Sequence, residues 1–275
     1  MPVYIEKENR DPKEAIRKIL HTFRDKIDTS KGVFLKPNIV FPVREKSGEI
    51  TRHKIVRALV DVLREIDPNL EIVIAEGTAA GTIPAENFKV SGYAKLAEEL
   101  RVHLLDLNQV EHIKLKWKYG ILRLPKIAFD KTYINLPILK SSSAAGISGA
   151  MKNQKGLLLP NMKKGFHKLG LHEPIAHLNK AVQPNLTIMD AANFFNDNVL
   201  IAGDNTYEID RFATKHLRAP EPAYLRMSRE LGVGSDNFTL LGEDMEELHS
   251  NYEYQPYEYK KFLRIRLWSN PRACS

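Results

Sequence analysis

Between Gly32 and Asp106 the chain alternates short apolar runs with helical periods, and this alternation narrows its fold more than any other feature. Gly32-Val-Phe-Leu-Lys-Pro-Asn38 is a buried strand closed by Pro37, and residues 39–50 form a loop. Thr51 to Asp67 places Ile55, Val56, Leu59, Val60 and Leu63 on one helical stripe, with Pro68-Asn69 ending it. Glu71 to Glu76 is the next strand, Gly77 to Thr82 a loop of small residues, Tyr93 to Leu100 a helix and Val102 to Asp106 a strand. Strand, crossover helix and strand in succession predict βαβ units and a parallel sheet.

The flanks extend that pattern. Asp11 to Lys26 reads as a helix, residues 112–129 as a β-hairpin excursion turning at Tyr119-Gly120, and Thr132 to Pro137 as a core strand. His172 to Ala181, Tyr207 to His216 and Ala223 to Leu231 read as helices, and Leu186 to Asp190 and Phe238 to Leu241 as strands. Residues 141–170 are rich in Ser, Gly, Lys and Asn, with little helical periodicity before about residue 150. Neither a repeat nor a linker interrupts the chain. The expectation is therefore one α/β domain over 1–275, with a mostly parallel twisted sheet, helices on both faces and a Rossmann-like plan. A basic, aromatic C-terminal tail follows over 256–275.

Composition removes several classes. The 43% hydrophobic and 27% charged residues exclude a disordered chain, a disulfide scaffold and a collagen-like repeat. No apolar run reaches the ~18 residues of a membrane-spanning helix. Charges replace an apolar signal core near the N-terminus, so a cytoplasmic location is expected. Cys274 is the sole cysteine, and one chain cannot build an iron–sulfur cluster or a Cys-type zinc site from it. Only four glutamines occur, which is compatible with a thermophilic source.

Open α/β sheets bind ligands beyond the C-terminal ends of their strands. Here those ends carry Lys36 and Asn38, then Glu76, then Asn135 and Lys140, then Asp190 with Asn193. Two glycine-containing loops, Gly77 to Thr82 and Gly146 to Asn153, are candidate anion sites, because helix-start N–H groups and Lys152 favour negative charge. Gly77 to Thr82 lacks the dinucleotide fingerprint and the Walker A ending, and Gly146 to Asn153 matches no nucleotide fingerprint either. His167 and His172 are candidates for proton transfer, while a helix-entry or surface role is the alternative. Their spacing does not match a zinc motif on a helix. Asp204 and Asp210, with Glu208, are the carboxylates a hard cation would use, although Asp204 equally suits a helix N-cap.

The formal charge of +7 concentrates in residues 140–168 and 260–272. Nucleic acid would exploit such patches, but no helix-turn-helix, zinc-finger or RNP pattern accompanies them, so nucleic acid is not the expected partner.

Leu35-Lys-Pro-Asn38, Ile74-Ala-Glu-Gly77, Ile134 to Lys140, Gly146 to Asn153, Lys155-Gly156, His172-Glu-Pro, Leu186 to Asp190 and Ala202-Gly-Asp204 occur in order over about residues 33–245. In these blocks the chain resembles the bacterial and archaeal family called domain of unknown function 362. That family is also distantly similar to the N-terminal part of lactate racemase, an α/β domain. Members are often fused to ferredoxin-like segments with Cys-x-x-Cys clusters, which implies redox work for them. This chain, with Cys274 alone, departs from those members. Residue chemistry and resemblance select the same positions: Lys36, Asn38, Glu76, Lys140, Lys152 and Asp190, with Gly149 and Asn153 beside them. The functional expectation is a cleft that binds a phosphorylated or carboxylated small molecule, as substrate or cofactor of unknown identity. The alternatives are a redox protein served by an external iron–sulfur electron donor, and a nucleic-acid-binding or structural protein.

Overall fold

The computed structural model describes residues 1–8, 11–142, 145–194, 198–217 and 219–243. The basic tail and Cys274 lie outside the described residues.

The chain opens with β1 (Pro2–Lys7), a strand the sequence pattern does not announce, followed by α1 (Pro12–Thr22), whose N-cap is Asp11. Then come β2 (Val33–Pro37), α2 (His53–Ile66), β3 (Ile72–Glu76), α3 (Pro84–Ser91), α4 (Tyr93–Leu100) and β4 (His103–Asp106). The excursion is the hairpin β5 (His112–Trp117) and β6 (Gly120–Pro125), closed by the short helix α5 (Ile127–Asp130). After β7 (Thr132–Leu136) a second small hairpin forms from β8 (Lys140–Ser142) and β9 (Gly146–Ser148). It leads into α6 (Ala150–Asn153), α7 (Pro160–Lys168), α8 (His172–Ala181), β10 (Leu186–Asp190) and β11 (Val199–Gly203). The described chain ends through α9 (Thr206–His216), α10 (Ala223–Glu230) and β12 (Thr239–Gly242).

Eight strands form one sheet in the order β12-β1-β11-β10-β7-β2-β3-β4. The pairings from β4 through β10 are parallel, β11 is antiparallel to both its neighbours, and β12 is parallel to β1. Only β11 therefore runs against the other strands. This is an α/β fold with a mostly parallel sheet, as the βαβ alternation predicts. No helix among the described residues is long and apolar enough to cross a membrane.

The period of two in the strands builds both layers. On one face Val33, Leu35, Ile72, Ile74, Ile134 and Ile188 pack under α1, α2 and α4. On the other, Phe34, Val73, Ala75 and Tyr133 meet Met151, Phe166, Ile175, Leu178, Tyr207 and Tyr224 from α6 to α10. Val3, Ile5, Met189 and Ile201 continue that second face beneath Ile209 and Phe212. A one-residue slip would exchange the two sets, so burial on both faces fixes the register and the position of every strand end. Lys36 then stands beside Asn135 across the β2–β7 pair, and Glu76 ends the adjacent strand β3.

Candidate functional site

Three parallel strands end in buried polar side chains. Lys36, wholly buried, places Nζ 2.9 Å from Glu76 Oε2. Glu76 also accepts hydrogen bonds from the backbone N–H groups of Gly77 (2.8 Å) and Ile39 (3.4 Å). Beside this ion pair runs a directional chain of amides. Lys140 Nζ donates to Asn38 Oδ1 (3.0 Å), Asn38 Nδ2 to Asn153 Oδ1 (2.8 Å), and Asn153 Nδ2 to Asn135 Oδ1 (2.8 Å). The chain ties β2, β7, β8 and α6 together at one point. Lys140 is held further by the carbonyl of Glu49 (2.7 Å).

This polar floor underlies a cavity of about 460 Å³, the size of small-molecule sites. Lys140, Lys152, Lys155, Lys163 and Lys164 line it together with His167 at the rim. Among the described residues that line it Glu76 is the one carboxylate, and Lys36 already neutralises it. Val40, Phe41, Ala79 and Ala80 form an apolar wall. Lys163 Nζ donates to the carbonyls of Gly77 and Thr78, the latter at 2.8 Å. Lys152 Nζ donates to Ser142 Oγ (2.5 Å), and Lys155 Nζ lies 3.2 Å from His167 Nε2.

Crowding cations away from water makes each easier to deprotonate. Burial, with Lys155 and Lys140 alongside, pushes the Lys152 ammonium down to about 7. Burial brings Lys155 to about 8. It brings Lys163 to about 8 as well, the nearby Glu76 charge acting in the opposite sense. Burial lowers Lys140, and lowers Lys36 against the pull of Glu76. His167 is held below its ordinary value by burial and then by Lys155 and Lys152, so near neutrality it is an imidazole that can accept from Lys155. The cavity thus carries unpaired positive charge that an anion would compensate.

The pattern of the family described as Domain of unknown function (DUF362) matches residues 33–216, two thirds of the chain. The protein belongs to this family. The match ends before α10 and β12, short of the expected extent to about residue 245, and every motif block lies inside it. The solved lactate racemase apoprotein of Thermoanaerobacterium thermosaccharolyticum is similar with a TM-score of 0.50 and 16% identity, over 78% of this chain and 56% of that one. A Thermotoga maritima protein has a TM-score of 0.46 and 14% identity, over 82% of this chain and 60% of its own. The chain therefore spans under two thirds of either structure, and at 16% identity the likeness to the racemase apoprotein is one of fold. No curated protein matches the chain.

In this DUF362 chain the residues singled out by sequence separate into two groups. Asn38, Glu76, Lys140, Lys152, Asn153 and His167 line the cavity, with Lys36 directly behind Glu76. Asp190 does not: Arg52 grips it in a two-pronged pair (Nε to Oδ2, 2.7 Å; Nη2 to Oδ1, 2.8 Å), and Arg52 also binds the buried Glu8. His172 begins α8 with its ring stacked on Tyr224 and is not among the lining residues.

Gly149 is needed for a different reason from the one its loop suggests. The Asp210 carboxylate accepts from the N–H groups of Ala150 (2.6 Å) and Met151 (3.0 Å), and a Cβ on Gly149 would sit 2.2 Å from Asp210 Oδ1. The anion at this helix start is a side chain of the protein itself. Asp204 is not the N-cap of α9, a place Asn205 takes, and it pairs with Lys26 at 3.0 Å. Among the described residues no group of three or more His, Cys, Asp or Glu is placed to hold a metal ion, so Asp204 and Asp210 do not converge on one.

Lys155, Lys163 and Lys164 belong to the basic stretch 140–168 expected to face an anion, but not to the residues singled out individually. The signal available was the i, i+4 spacing of Lys163 and His167 after Pro160, a residue suited to the first turn of a helix.

Proposed function

We propose that this protein binds an anionic small molecule, phosphorylated or carboxylated, in the cavity at the ends of β2, β3 and β7. One observation carries the reading: five lysines and a histidine line a cavity whose single carboxylate is already paired with Lys36. Buried like charges cost free energy unless a counter-charge joins them, so a ligand with two or more negative charges gains most there. Lys140 would hold its charge, with Asn38 and Asn153 fixing Lys140 in place through the amide chain and Lys152 beside it in the lining. The apolar wall of Val40, Phe41, Ala79 and Ala80 suits a ligand with a carbon skeleton rather than a bare inorganic ion. A recessed cavity of this size also favours a small molecule over nucleic acid, whose backbone is met by exposed basic surface.

Thermal denaturation of the full chain with inorganic pyrophosphate, pyruvate, lactate and nucleotides tests the proposal. At least one anion should raise Tm, more at 50 mM than at 500 mM salt, by the screening expected of charge-driven binding. Lys140→Ala should weaken that anion by about tenfold, the loss of one charge-assisted hydrogen bond. If no anion shifts Tm in the wild type, the proposal fails.

A further inference from the structure

We infer that Lys152 is a nucleophile that forms an imine with a carbonyl group of the bound anion, so that the ligand class is an oxo acid or a phosphorylated aldehyde or ketone. The inference rests on the anion-binding reading above and goes past it to the chemistry. Among the described residues Lys152 makes no ion pair, and its amine is held by the Ser142 hydroxyl at 2.5 Å. The other cavity amines with hydrogen bonds are committed elsewhere: Lys140 to Asn38 and Glu49, Lys163 to the Gly77–Thr78 backbone, and Lys155 to the His167 ring. Lys152 alone is held by a hydroxyl, a group that orients an amine without fixing its charge. Its low proton affinity, at about 7, leaves much of it as free amine at neutral pH.

The remaining lysines would hold the carboxylate or phosphate and bring the carbonyl carbon to Nζ. The nitrogen lone pair forms the C–N bond. The C–O bond breaks, and the oxygen leaves as water with the two amine hydrogens, so no oxidant or reductant is consumed. The Lys155 ammonium can lend the oxygen a proton during this step and recover one from the nitrogen, with His167 beside it to share the charge change.

The test uses the full chain at pH 7 with sodium cyanoborohydride, in one arm with pyruvate and in the other with glycolaldehyde phosphate, followed by peptide mass mapping. The expected result is one reduced adduct per chain, on Lys152, in at least one arm. It should form about tenfold or more faster than on the exposed Lys95, because the ordinary lysine is almost wholly protonated at that pH. Excess pyrophosphate should suppress it. Which arm reacts tells oxo acid from phosphate. Lys152→Arg should abolish the adduct, and the wild-type map does not depend on how that variant folds. Labelling spread over exposed lysines, or no adduct while pyrophosphate still raises Tm, overturns the imine and leaves the anion site standing. No adduct and no Tm shift by any anion overturns both.

Discussion

The Lys36 ammonium and the Glu76 carboxylate meet at 2.9 Å with both side chains out of water, and this contact sets the charge of the cavity floor. Removing one partner leaves the other buried and unpaired. Lys36→Met should therefore cost about 3–5 kcal/mol of stability, whereas Lys36→Met/Glu76→Leu should recover much of that loss. The single variant also leaves Glu76 facing the cavity without its counter-charge, so anions should stabilise it less than the wild type. Urea unfolding at pH 7 of both variants decides it. Equal losses in the single and double variants would show that packing, not charge, holds these residues.

The same pair explains a glycine requirement. A Cβ on Gly156 would lie 2.0 Å from Glu76 Oε1 and 2.4 Å from Lys36 Nζ, and one on Gly77 would lie 2.4 Å from the Gly156 carbonyl oxygen. Gly156→Ala and Gly77→Ala should each destabilise by about 1–3 kcal/mol, the cost of overfilling a packed site. Gly165, in α7, has open space around its Cβ position. Gly165→Ala should stabilise by about 0.5–1 kcal/mol through helix propensity alone. Chemical denaturation of the three variants side by side separates crowding from backbone effects.

Proton linkage gives the protein without ligand opposed pH slopes on either side of neutrality. Burial raises Asp210 to about 7, above its unfolded value of 3.8, so its favourable contribution is present below pH 3.8 and is lost as pH rises towards 7. Lys152 has the other sign. Its folded value of about 7 lies below the unfolded 10.5, so the unfolded chain binds the extra proton and stability rises from pH 7 towards 10.5. Lys155 and Lys163 add to that rise from about 8 upwards. Asp210→Asn should flatten the acid-side slope and Lys152→Met the alkaline one, and Lys152→Met should raise Tm at pH 7 by several degrees, on the order of 2–4 °C per kcal/mol. Tm against pH for wild type and both variants checks the signs. An unchanged alkaline slope in Lys152→Met would refute the assignment to that amine.

What the sequence showed and what it hid have physical reasons. Lys36, Asn38, Glu76 and Lys140 stood out because apolar strands become polar where they leave the sheet. The helix α7 did not, since only Lys163 and Phe166 of it are buried and no apolar stripe marks it. With α7 unread, Lys163 and His167 could not be placed on one helical face. Neither β11, Val199 to Gly203, nor β1 stands out, the latter because its Glu6 is buried against Tyr4 and Lys18 rather than solvated. Together they supply the antiparallel part of the sheet. Asp210 reaches Ala150 from sixty residues along the chain, and no local pattern records such a pairing.

The amide chain makes the last prediction specific. Asn153 both accepts from Asn38 and donates to Asn135, so its side chain is the link between Lys140 and the middle of the sheet. Asn153→Ala leaves the buried Asn38 Nδ2 and Asn135 Oδ1 unpartnered, at about 1–3 kcal/mol for each group. Asn153→Asp can still accept from Asn38, but it turns an acceptor towards the Asn135 oxygen and adds negative charge beside the cavity. Both variants should lose stability, and Asn153→Asp should lose anion binding by the larger factor because its charge opposes the ligand. Calorimetric titration with pyrophosphate, alongside urea unfolding, measures the two losses separately. Wild-type affinity in both variants would mean that the amide chain serves folding and has no hand in placing the Lys140 charge.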